Sequence, residues 1–239
     1  FKPVGLVQTG DVDLAIKEAQ RLVDMGYEIL TIPAVVWAQD KVAYNDPRFE
    51  RLWAALEELG KPIAIHVATG RDPRAAKGNG GAICNFVMGA MSQVIEPFAV
   101  LLASGVFERY PNLKIGSVEG GVGWVPWLLE TLDYVYHTHH MWVRPTLKHP
   151  PSHYYRQNCF SSIVEDHVGV AAMQRAGLIN NVMWGSDAPH MEGSFPHSPL
   201  SLERQLQELT EAEREAVLGL NAVRIFGFDP AKKFCEAKA

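Results

Sequence analysis

Two short apolar runs end in residues that can do chemistry. Pro62-Ile63-Ala64-Ile65 leads into His66, and Val182-Met183-Trp184-Gly185-Ser186 leads into Asp187. Each reads as a buried strand with its polar residue at the C-terminal tip, where barrel-type α/β folds carry catalytic groups. His66 can serve there as a metal ligand or general base, or as a histidine hydrogen-bonded in the rim. Asp187 can offer a hard oxygen to a metal, accept a proton, or act as a turn acid in Ser186-Asp187-Ala188-Pro189. Paired at two strand tips, they point to a metal or acid–base site. Glu119 ends a third run, Leu113 to Val118. It can relay a proton, orient substrate, sit beside a metal, or form a salt bridge at the barrel mouth.

Other candidates surround these three. His190 lies three positions beyond Asp187, within reach of the same site or bonded locally, and Glu192 and His197 follow it. Gly120, Gly121 and Gly123 open a helix, but no Lys-Ser/Thr follows, so they read as room for substrate rather than as a phosphate loop. Trp124, next to them, is a candidate substrate-binding side chain. Arg71, Arg74 and Lys77 can grip a substrate carboxylate or remain solvated loop charges, with Arg71 the candidate for substrate. His137, His139, His140, His149 and His153 read as surface or loop histidines. The chain has no HExxH and no GxSxG, which removes support for thermolysin-type and serine hydrolases.

The elements that must position these residues alternate regularly. Strand-like runs at Val4–Val7, Tyr27–Ile32, Pro62–Val67, Leu113–Glu119, Cys159–Ile163 and Val182–Asp187 are separated by helix-like segments. Asp11 or Asp13 caps the first helix. Asp46-Pro47 starts another, with Phe49, Leu52, Trp53, Leu56 and Leu59 on one face and Gly60 at its end. Helices are also expected over Phe98–Val106, Trp124–Tyr136 and Asp166–Ala176. Thr210 to Glu213 is a capping box opening a terminal helix. Residues 70–88 and 142–156 read as irregular loops. Six βα units predict a parallel sheet, either open and doubly wound or part of a barrel.

The 239 residues suit one large domain, and 47% hydrophobic with 21% charged residues is ordinary for a globular protein. A net charge of −5 argues against nucleic-acid or anionic-membrane partners. No apolar run is read as approaching the roughly 20 residues of a membrane helix. Three cysteines without a CxxC pair predict no disulfide framework and a cytoplasmic setting.

Taken in order, several segments resemble the amidohydrolase-2 family of metal-dependent hydrolases. They are Ile65-His66, Lys114-Ile115-Gly116-Ser117-Val118-Glu119-Gly120-Gly121 with Trp124-Val125-Pro126, Trp184-Gly185-Ser186-Asp187-Ala188-Pro189-His190 with Glu192 to His197, and Asn221 to Phe226. The resemblance implies a distorted (β/α)8 TIM barrel. It makes His66 the fifth-strand metal ligand and Asp187 the eighth-strand one, with Glu119 where the sixth strand usually ends in histidine. No first-strand metal motif is found, and counting back from the C-terminal end makes Val4–Val7 the third strand. Residues 1–239 are therefore expected to be one barrel-like domain, the C-terminal three-quarters of a full barrel. The first one or two βα units, with the other ligands, are expected upstream of Phe1 or from another chain. A closed sheet of these six strands alone would contradict that.

The resemblance further implies a divalent ion, zinc first, and hydrolysis of a small carbonyl or carboxylated substrate. Asp187, Glu119 and His190 are then the catalytic candidates. Non-oxidative decarboxylation and a metal-free binding protein are the alternatives. A homo-oligomer packed through Trp124, Trp127 and Trp142 is also expected.

Overall fold

The structure, a computed structural model, describes residues 2–36, 42–70, 76–139 and 147–229. Six strands, β1 (Val4–Leu6), β2 (Ile29–Pro33), β3 (Ile63–His66), β4 (Ile115–Val118), β5 (Cys159–Ile163) and β6 (Val182–Trp184), form one sheet. All five neighbouring pairs are parallel, and spatial order follows chain order from β1 to β6. A doubly wound sheet reverses its order at a switch point. Unbroken order with right-handed crossovers places the helices that connect the strands on one face, which is the arrangement of a barrel wall. Among the described residues β1 and β6 are the two edges of this arc and do not pair with each other.

The strands sort their side chains between helix layer and concave face. A side chain at Gly5 would run into Leu22 of the helix Val12–Asp24, so Gly5 faces the helices. Alternation then turns Val4 and Leu6 to the concave side, where each stands half-exposed. The helix-side core is apolar and close-packed, with Leu30, Ile32, Ile63, Ile65 and Ile115 fully buried against Leu52, Trp53, Phe98 and Leu101. Near-continuous apolar runs such as Ile63-Ala64-Ile65 are what a parallel sheet covered by helices requires.

Local signals fix the helix starts. Asp11 caps Val12–Asp24 by accepting from Leu14 N. Asp46 takes Arg48 N at the Pro47–Phe49 turn that leads into the helix Glu50–Leu59. The capping box of Thr210 and Glu213 has both its bonds and opens the helix Glu211–Glu215. Three buried asparagines hold the strand entrances from below. Asn158 Nδ2 donates to Pro111 and Leu113 carbonyls, Asn181 Nδ2 to Tyr155, Arg156 and Cys159, and Asn221 Nδ2 to Ile179 and Val182.

Two expectations need correction. Residues 81–88 are helical, because Gly81–Ala103 forms a single 23-residue helical run. That run is long and apolar enough, by length and composition, to cross a membrane. Its second half carries Phe98, Leu101 and Leu102 fully into the core, which is also how a core helix of a water-soluble barrel behaves. The segment 142–156 contains the helix Pro151–Asn158, started by Pro151 at its first turn.

Gly116 shows how tightly the concave floor is filled. A Cβ there would lie 2.1 Å from the Phe160 ring, itself 1% exposed and edge-on to Phe226 at 5.3 Å. Gly116→Ala is expected to destabilise the fold by about 1–3 kcal/mol through overpacking. Urea denaturation of the variant checks this, and an unchanged midpoint would contradict it.

Candidate active site at the strand tips

His66, Glu119 and Asp187 stand at or just beyond the C-terminal ends of β3, β4 and β6. Two of the three occupy backbone that side chains rarely adopt, with φ +63° at Glu119 and +55° at Asp187. Left-handed backbone costs an L-residue of order 1–2 kcal/mol, and Glu has no local hydrogen bond to offset it as Asn or Asp can. Such strain concentrates where function requires one geometry.

The side chains converge. His66 Nε2 lies 2.7 Å from Glu119 Oε1, and His66 Nδ1 lies 2.8 Å from Val67 O. A carbonyl can only accept, so Nδ1 donates to Val67 O and Nε2 is the ring nitrogen turned to the Glu119 carboxyl. Asp187 Oδ1 lies 2.8 Å from His190 Nδ1, and its side chain is only 7% exposed, against 60% for His190. One ligand atom each from Glu119, Asp187 and His190 falls within 4.8 Å of the others. Two carboxylates and an imidazole fit a divalent cation of the zinc or manganese kind. The two ligands expected from sequence, His66 and Asp187, line the same cavity, with Asp187 in the 4.8 Å group and His66 hydrogen-bonded to its Glu119. His66 reaches the group through Glu119.

These residues open into a cavity of about 380 Å3. Its apolar wall includes Val67, Phe86, Met91 and Val164. Its polar lining holds four acids, Glu119, Glu165, Asp187 and Glu192, against His66 and His190. No Lys or Arg appears among the described lining residues. An anionic substrate entering such a lining needs an added positive charge.

Other expected residues fall elsewhere. Arg71 lies outside the described residues, as do Arg74, His140 and Trp142. Trp124 is not among the described lining residues of this cavity. Its indole N–H donates to Gly120 O and Gly121 O, and its ring packs edge-on against Phe98 at 5.5 Å. Trp127 is 60% exposed on the same helix. His137, His139 and His197 are exposed. His149 and His153 stack on each other away from the cavity, with ring centroids 4.2 Å apart. Burial, then the neighbouring His149, lowers the His153 pKa. Cys159 is a buried free thiol whose pKa burial raises well above normal, so it is a packing residue rather than a nucleophile. Phe86, Met91 and Glu165 were not visible as site residues. Glu165 could have been found two positions past the end of β5, by the same strand-tip logic that singles out His66.

A one-directional parallel arc with strained acids and a histidine at its C-terminal rim has the layout of a barrel-type α/β enzyme, whose catalytic groups sit at that rim. The amidohydrolase family profile matches residues 1–228, and the chain belongs to that family, one of enzymes. Over 197 residues the chain is 25% identical to 2-amino-3-carboxymuconate-6-semialdehyde decarboxylase of Dictyostelium discoideum, covering 79% of this chain and 51% of that protein. The chain thus spans about half the length of that curated relative. The crystal structure of 5-carboxyvanillate decarboxylase from Sphingomonas paucimobilis superposes with TM-score 0.72 at 26% identity, over 92% of this chain and 64% of that one. Dihydroxybenzoic acid decarboxylase from Polaromonas sp. JS666, solved with bound manganese, shares the fold at TM-score 0.70 and 18% identity, over 92% and 67% of the two chains.

Proposed function

We propose that this protein is a metal-dependent, non-oxidative decarboxylase of small carboxylated substrates, in preference to a hydrolase. The observation that carries the reading is the convergence of Glu119, Asp187 and His190 within 4.8 Å at the floor of an acid-lined cavity. The named activities of the relatives favour decarboxylation over hydrolysis as the use of that floor. A cavity of about 380 Å3 suits a single-ring or similarly small acid.

Asp187, His190 and Glu119 are the donors that would hold a divalent ion, with His66 adjoining through Glu119. A divalent ion held there would supply positive charge to bind and polarise a substrate carboxylate or its neighbouring oxygen. Manganese, found in one structural relative, and zinc both accept this oxygen-and-imidazole set. Val67, Phe86, Met91 and Val164 exclude water from the carboxylate that leaves. When the C–C bond breaks, its electron pair stays on the substrate carbon. That carbon takes a proton from the His66–Glu119 pair, and CO2 departs.

The reading treats residues 1–239 as one barrel-type domain. Its open side, where Val4 and Leu6 stand half-exposed, receives further βα units bearing the remaining donors. The free thiols Cys84 and Cys159 support a cytoplasmic setting. Exposed Trp127 and Tyr134 on one helix support a homo-oligomer.

The test incubates full-length protein with 5-carboxyvanillate, dihydroxybenzoates and related acids in D2O. Decarboxylation predicts CO2 release and a single deuteron at the vacated carbon, lost on chelation and restored by Mn2+. A hydrolase would instead cleave esters or amides and incorporate solvent oxygen, and that outcome would overturn the assignment.

A further inference from the structure

We propose that Asp166 is a positioning residue that fixes Glu119 in its strained, site-facing conformation. The inference rests on the reading that Glu119 works at the site. Beside the backbone bond from Val125 N to Val122 O, side chains from elsewhere hold the segment Glu119–Gly123. Ser162 Oγ accepts from Glu119 N at 3.1 Å. Trp124 donates to Gly120 O and Gly121 O. Asp166 Oδ2 accepts from Val122 N at 2.6 Å and Gly123 N at 2.8 Å. Ser162 and Asp166 both leave the end of β5, so one neighbouring strand grips both ends of the segment.

Asp166 also caps the helix His167–Arg175, but that uses its other oxygen, Oδ1, on Gly169 N. A serine would cap the helix as well, so the cap does not explain a carboxylate here. The second oxygen, aimed at another segment, does. Gly169 leaves space for it, since a Cβ there would lie 2.1 Å from Asp166 Oδ2. Gln205 Oε1 fixes the base by accepting from Asp166 N at 2.7 Å. The grip is therefore rigid on three sides, and a strained residue such as Glu119 persists only where its surroundings over-determine it.

Asp166→Ser separates the two duties, keeping the cap and removing the grip. Two measurements on full-length protein test it, with Thr210→Ala as a distant loss of a helix cap. In the first, the Glu119 backbone N–H, bonded to Ser162 Oγ, is expected to exchange at least about tenfold faster in Asp166→Ser and to stay protected in Thr210→Ala. In the second, titration with Mn2+ alone is expected to show about tenfold weaker binding in Asp166→Ser, the size of effect expected for a residue that orients a ligand. Adding Asp166→Ser to Glu119→Gln is expected to weaken binding no further.

Wild-type exchange and Mn2+ affinity in Asp166→Ser would overturn the proposal. So would an equal loss of affinity in the Glu119→Gln background, since Asp166 would then act by another route. If Glu119→Gln itself leaves Mn2+ binding unchanged, the reading of Glu119 as part of the metal site falls, while the exchange measurement still decides whether Asp166 holds it.

Discussion

Asp187→Asn is expected to lower kcat by about a thousandfold or more, the equivalent of about 4 kcal/mol of transition-state stabilisation, while leaving the fold intact. Asparagine matches aspartate in size and tolerates left-handed backbone as well as aspartate does, so the φ of +55° is no obstacle. What changes is charge. The Asp187 carboxylate is nearly buried beside His190 and shares its cavity with Glu119, Glu165 and Glu192. Removing one of four acids relieves repulsion, so the thermal midpoint is expected to hold or rise as activity disappears. That is the trade expected of a residue kept for function. Turnover and thermal denaturation of the same preparation check it. A variant that loses stability in step with activity would mark Asp187 as structural.

His66→Ala is expected to lower kcat by about 100- to 10,000-fold, the range for loss of a positioned proton donor. Its ring is the only described partner of the Glu119 carboxylate and is anchored on its other side by Val67 O. Without it, Glu119 keeps its place on the backbone but loses the hydrogen bond to the imidazole. His66 is about one-third exposed, so its removal leaves no sealed cavity, and the cost in stability is expected to stay below about 1.5 kcal/mol. Steady-state kinetics with urea denaturation test both halves. A kcat within threefold of wild type would remove His66 from the chemistry.

Much of this architecture is legible in the sequence because parallel strands covered by helices leave strong local marks. Ile63-Ala64-Ile65, the Asp11 and Asp46 caps and the Thr210 box each fix an element within a few residues. Strand tips are legible for the same reason: a polar residue ending a buried run has one place to go. The helix beginning at Gly81 was hidden because it opens with glycines and then runs apolar without a helical period. Pro150-Pro151 disguised the start of the helix Pro151–Asn158.

Within the site, types and order could be read, but not partners. Nothing local tells that Glu119 and His190, rather than His66, gather closest to Asp187. That depends on a parallel register pairing His66 with Val118 and on left-handed turns at two acids. The indole of Trp124 reads equally well as a substrate wall, and only the carbonyls of Gly120 and Gly121 at 3.1 Å show what it holds. The grip of Asp166 joins segments 43 and 44 residues apart, which no local pattern announces.

The most direct test of the central claim is anomalous diffraction at the manganese edge from crystals of full-length protein grown with Mn2+. The account predicts one dominant peak within coordination distance of the Asp187 carboxylate, with Glu119 and His190 beside it. A structure with no ion at Asp187, or with the ion held elsewhere and Glu119, Asp187 and His190 turned away from one another, would contradict it.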